Sequence, residues 1–163
     1  MVETYRTLRP GIVGLLVEFD AHSGSKVELA HGVYSLGFTD IVEGELAPET
    51  RTTFDYDVAP ADMPVPAAGS RWQSASTVTD ADGQRAETVS TSWGALDQIA
   101  IDGCDYAAIT GRIRYAGEEY SAEEGLIYLP EIGIGALAYY SDSKADDAPL
   151  REEITSITAQ GAQ

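Results

Sequence analysis

Two histidines, one cysteine, nine tyrosines and 27 acidic side chains are what this chain could do chemistry with, and their spacing excludes most reactions. His22 lies in a His-Ser-Gly-Ser turn and His31 ends a strand-like run; neither belongs to an HxH or HExxH pattern that would aim two imidazoles at one metal ion. No Gly-x-Ser-x-Gly elbow presents a serine nucleophile, so serines beside turns read as turn formers. Asp80, Asp82 and Gly83 open like a calcium loop. Gln84 and Thr91 occupy the fifth and twelfth places, where that loop needs further ligands, so a hairpin is the better account. The carboxylates Glu118, Glu119, Glu123 and Glu124, and Asp142, Asp146 and Asp147, read as solvated loops. With so many acids, some pair will meet the spacing of glycoside hydrolysis by chance. We therefore expect no catalytic residue, no metal and no cofactor. Tyrosine is the more informative type: Tyr115, Tyr120, Tyr128, Tyr139 and Tyr140 crowd the final third, and each offers an apolar body with a polar tip.

The formal charge of −17 is spread evenly, with 12 acidic and 5 basic residues before position 81 and 15 and 5 after it. Such a field repels phosphate backbones and anionic lipid, which excludes nucleic acid and leaves a cationic protein partner open. No window approaches the roughly 18 apolar residues of a spanning helix, so no membrane span is expected. Cys104 is alone and reads as a small buried hydrophobe. The first residues carry neither a basic segment nor an apolar run. The expectation is cytoplasmic as written, and periplasmic or secreted if a leader has been removed.

Hydrophobic periodicity supplies the elements that must position these side chains. Gly11 to Asp20 alternates, with Val13, Leu15, Val17 and Phe19 on one parity; Lys26 to Ala30 and Gly32 to Val42 follow as strands. Arg51 to Val58 alternates most cleanly, Thr52, Phe54, Tyr56 and Val58 against Arg51, Thr53, Asp55 and Asp57. Pro60, Pro64 and Pro66 make 59–70 a crossing loop. Asp80 to Gly83 predicts a hairpin between Arg71–Thr79 and Arg85–Trp93, polar strands that face solvent or line a wet cavity around Trp72 and Trp93. After a break at Gly94, Gln98 to Ile101 pairs with Asp105 to Tyr115, and Gly111 marks a bulge or bend. Glu118 to Gly125 turns, Leu126 to Leu129 pairs back, another strand ends near Tyr140, and Leu150 to Thr158 is read as a last strand. The sum is a single all-β domain over residues 1–163: one curved antiparallel sheet, a half-barrel or incomplete barrel, with little helix.

The run Ile99-x-Ile101-Asp102-Gly103-Cys104-x-Tyr106-x-Ala108-Ile109, followed by Tyr128-x-Pro130-Glu131-Ile132-Gly133, resembles bacterial envelope β-proteins with a lipoprotein-carrier-like fold, the LolA/LppX-like group. The likeness covers about 35 residues, and no lid helix accompanies it. It implies a curved sheet with an apolar concave side and a non-enzymatic role in holding a hydrophobic small molecule or lipid. Phe54, Tyr56, Ile109, Ile113, Tyr115, Tyr128 and Leu137 are the lining candidates. Two alternatives stay open: an acidic interaction or structural module without a ligand cavity, and a hydrolase in whose cleft an acid meets His22 or His31.

Overall fold

The computed structural model describes residues 1–144 and 149–158. Its strands are β1 (Val2–Arg9), β2 (Ile12–Glu18), β3 (Gly24–Ala30), β4 (Tyr34–Val42), β5 (Glu45–Leu46), β6 (Thr52–Tyr56), β7 (Arg71–Asp80), β8 (Gly83–Ile101), β9 (Cys104–Gly117), β10 (Ser121–Leu129), β11 (Ile134–Asp142) and β12 (Leu150–Arg151). All belong to one antiparallel sheet. The order is sequential except that β5 lies off the path and pairs with β4, and the sheet curls into a half-barrel. Among the described residues helix is confined to two short 3-10 turns, Pro48–Thr50 and Pro60–Asp62. No helix of the described residues is long and apolar enough to cross a membrane.

An up-and-down meander places its turns alternately at two ends. One end carries the turns after β1, β3, β8 and β10 and the proline-containing loop; there the curled sheet is bridged. Gly135 N donates to Gly32 O at 3.0 Å, and Tyr5 Oη on the edge strand β1, which also donates to Glu3 Oε2 at 2.7 Å, lies 3.1 Å from Gly135 O. Gly32, at φ +71, permits this approach: a Cβ there would stand 2.2 Å from Gly133 O. Met63 plugs the same end from the loop, and Tyr34 Oη donates to Pro64 O at 2.9 Å. Ile12, Ala30 and Val33 from the first hairpins pack in one core with Trp93, Ile109, Leu126 and Tyr128 from the last.

Several details depart from the sequence reading. Residues 2–9, too polar to register, form β1 because β2 offers it a full ladder. Phe19 lies in a turn, 56% exposed, and β2 buries Ile12 as well as Leu15, so its alternation is not a single buried face. No break falls at Gly94. β8 runs on to Ile101 with its irregularity between Trp93 and Leu96, directly after the pair Trp93–Gly111, so Gly111 does border a bulge as expected and is also the flat spot over which the Trp93 ring lies. The turn before β10 ends at Tyr120, placing Glu123 and Glu124 in a strand. Cys104 is exposed, because it opens β9 beside a tight turn. The last strand is only Leu150–Arg151; 152–158 have no regular structure, and the end of the charged loop, 145–148, lies outside the described residues.

Candidate functional site

Residues directly opposite in register share a face of the sheet. Three adjacent rows therefore define the concave surface near the end that carries the β7–β8 and β9–β10 turns. The first is Tyr56, Ser76, Glu87 and Gly117; the second Ser74, Val89, Tyr115, Ala122 and Asp142; the third Trp72, Thr91, Ile113, Glu124 and Tyr140. The parity of β8 sends Glu87 to the same side as Val89, Thr91 and Trp93, all of them buried. The parity of β10 puts Glu124, half-buried, on the same side as the buried Ala122.

Glu87 is 5% exposed, and neither carboxylate oxygen meets a hydrogen-bond partner among the described residues; Ser76 Oγ and Thr91 Oγ1 are likewise buried and unpartnered. Tyr115 Oη donates to Glu124 Oε2 at 3.1 Å, and Tyr140 Oη donates to Asp142 Oδ2 at 3.2 Å. Tyr56 Oη donates to Ser35 O at 3.1 Å. The cation closest in chain is Arg85, on the same face as Glu87. Its guanidinium is bound to Asp80 and lies 5.9 Å from the centre of the Tyr120 ring. The acids thus outnumber the cations facing them.

Burial sets the protonation of this group. It pushes Glu87 up to about 7, against an opposing pull from Arg85. Glu124 also rises to about 7: burial dominates, the Tyr115 hydrogen bond opposes it, and the Glu87 charge adds to it. Tyr120 is raised to about 12 by burial and then by Glu87. Burial followed by the facing carboxylates raises Tyr56, Tyr115 and Tyr140 further. Near neutral pH the phenols are therefore neutral donors, while the two glutamates stand midway between acid and carboxylate. The cluster can accept hydrogen bonds, surround an apolar group with aromatic faces, or neutralise a positive charge.

The lining candidates separate into two groups. Phe54, Tyr56, Ile113 and Tyr115 belong to the polar end, and Phe54 and Tyr115 meet across the interior with ring centres 6.5 Å apart. Ile109 and Tyr128 are partners in register near the bridged end, where Tyr128 also meets Trp93 at 5.9 Å, and Leu137 is paired with Leu126. Neither histidine joins the cluster: His22 lies in the β2–β3 turn and His31 in the β3–β4 turn. Sequence reasoning missed Glu87, Glu124, Tyr120 and Tyr140 as site residues. A parity count along Glu87-Val89-Thr91-Trp93 could have found the first.

Two open depressions flank the sheet. One, of about 340 Å³, is lined by Arg114, Ser121, Ala122, Glu123, Ser141, Asp142 and Ser143. Its Arg114, Glu123 and Ser141 are partners in register on the face of the sheet opposite the three rows. The other, of about 680 Å³, is lined by Asp20, His22, Ser23, Ile41, Val42 and Glu43. Fold and site together define a class of architecture, an antiparallel half-barrel with an aromatic, acid-bearing interior. Comparison with protein-family models, curated proteins and solved structures returns no match for this chain.

Proposed function

We propose that this half-barrel is a non-enzymatic binding protein that holds a small, largely apolar molecule on its concave face, at the end lined by Phe54, Tyr56 and Tyr115. One observation carries the reading: Glu87 and the hydroxyls of Ser76 and Thr91 are buried on that face without protein partners. Buried polar groups left unmatched are costly unless something pairs with them. The aromatic rings beside them supply apolar area. A bacterial envelope setting is supported by the resemblance of the 99–133 region to lipoprotein-carrier-like proteins.

Titration with a neutral naphthyl dye, N-phenyl-1-naphthylamine, is expected to saturate at one site. Tyr56→Ala should weaken it at least tenfold and Ile132→Ser, on an exposed turn, should not. Native mass spectrometry of protein from its own host should show a copurified small molecule. Bare protein together with unsaturable dye binding overturns the proposal.

A second reading, a docking face for a basic protein segment, is favoured by a different place. Ile41 and Leu46 are opposite in register beside the larger depression; Val42 and Phe19 are more than half exposed there, among Asp20, Glu43 and Glu45. Under this reading Val42→Asp leaves the dye titration unchanged but abolishes salt-sensitive binding of a basic amphipathic peptide.

A further inference from the structure

The unmatched carboxylate also specifies the charge of what binds. We infer that the ligand is a cation with an apolar body, an amine or quaternary ammonium, whose positive head sits between Glu87 and Glu124 inside a cage of tyrosine rings. This inference rests on the binding reading above and adds the chemical class of its occupant.

Three observations converge on it. First, Glu87 is buried to 95%, from its 5% exposure, with both oxygens unpartnered among the described residues, so the site holds acceptor capacity and no donor to fill it. A neutral hydroxyl could satisfy one oxygen; an ammonium can face both, and a charge is the stronger match for a carboxylate. Second, the charges that face Glu87 do not balance it. On β8 Arg85 is committed to Asp80 at the turn, while β10 contributes Glu124; the phenols of Tyr56 on β6, Tyr115 on β9, Tyr120 before β10 and Tyr140 on β11 are neutral, and those of Tyr56, Tyr115 and Tyr140 already donate to Ser35 O, Glu124 and Asp142. Third, the surrounding surface is aromatic. Tyr56 and Trp72 rings lie 6.1 Å apart, Tyr34 and Trp72 5.1 Å, and Phe54 and Tyr115 6.5 Å. Aromatic faces attract cations, and cages of this composition suit alkylated ammonium groups. Opposite Glu87, Gly117 has no side chain, and the nearest atom to a Cβ built there is on the Tyr120 ring at 3.4 Å.

Binding would exchange protons for the cation, since burial holds both glutamates near half protonation at neutral pH. Affinity should therefore rise with pH between about 6 and 8, by up to tenfold per pH unit for each proton released.

The test uses three probes of equal chain length: octyltrimethylammonium, octanol and octanoate, each displacing the naphthyl dye from the full chain. The cation is expected to bind at least tenfold more tightly than octanol, and octanoate least. Glu87→Gln should abolish that preference, bringing the cation down to the affinity of octanol, and should raise Tm, because a buried charge is removed without loss of volume. Glu124→Gln should weaken the cation alone, and its own melting curve verifies folding should the first variant misfold. If octanol or octanoate matches the cation in the wild type, or if both glutamine variants retain the preference, the cation assignment fails while dye binding still supports the pocket. If neither dye nor any probe binds, both readings fall.

Discussion

Tyr115 and Glu124, on adjacent strands but one row apart, are joined by a hydrogen bond of 3.1 Å from phenol to carboxylate. The donor is 4% exposed and stays neutral at any ordinary pH, because burial and the facing acids raise it. The acceptor changes charge near pH 7. One end of the bond is fixed and the other titrates, so its strength depends on proton activity.

Removing that donor should raise Glu124 further. In Tyr115→Phe the carboxyl resonance of Glu124, followed by carbon NMR, is expected to titrate at higher pH than in the wild type. Stability should drop by about 1.5–3 kcal/mol above neutrality, the range for hydrogen bonds to charged groups, and by less below pH 5. An unchanged titration would mean that the bond does not persist in solution.

The buried glutamates predict how stability depends on pH. Both have folded values near 7 against ordinary values of 4.5, so between these limits the folded state binds more protons than the unfolded chain. Their contribution is favourable below about 4.5 and is lost as pH rises through 7, on the order of 3 kcal/mol for Glu87. Arg85 and the facing tyrosines keep their charge states through this window. Urea midpoints should fall from pH 5 to pH 8, and Glu87→Gln should flatten the decline. Growing repulsion among surface acids remains in the variant and so is subtracted by the comparison.

Two glycines at the bridged end separate conformational cost from steric cost. Gly32 and Gly133 have nearly the same φ, +71 and +69, but a Cβ on Gly32 meets Gly133 O at 2.2 Å whereas one on Gly133 meets nothing within 4 Å. Gly133→Ala should cost about 1 kcal/mol for its left-handed backbone, and Gly32→Ala clearly more, because the bond from Gly135 N must also lengthen. Chemical denaturation of both variants measures the difference.

Gly111 and Trp93 should be strongly coupled. A methyl group at 111 would overlap the indole, 2.0 Å from its nearest carbon, so Gly111→Ala must expel the ring and shift its fluorescence to the red. Trp93→Leu in the same chain should recover part of the loss. A double-mutant cycle giving a coupling of about 1–3 kcal/mol is expected; additivity would show that the ring had other room.

The sheet was legible wherever parity was clean. Thr52 is buried, Tyr56 and Val58 pack half-buried against the core and Phe54 meets Tyr115, as their alternation implies, and Asp80 to Gly83 makes the hairpin that Asp-Gly predicts. β1 escaped because an edge strand with one neighbour need not be apolar, and the end of β8 was cut because a glycine beside a bulge looks like a loop. The acids of the interior were hidden by a general expectation, that glutamate faces water. Glu124 follows Glu118, Glu119 and Glu123 and passed for one more solvated charge; only the start of β10 at Ser121 decides its side. For Glu87 the polar flanks of the β7–β8 hairpin admitted a wet interior, but no rule of spacing marks a lone acid among serines and threonines.

The meander's order carries a consequence for how the protein is made. Apart from the skip over β5, each ladder joins strands consecutive in the chain, so a nascent polypeptide can zip every strand onto its predecessor as it leaves the ribosome. β4 and β6 are held by only two residue pairs, Gly37 with Thr53 and Phe38 with Thr52, which makes this seam the natural pause between an early and a late half. Only when translation has delivered Gly135 can the bond to Gly32 form, about a hundred residues back, and the two halves of the sheet be tied at that end.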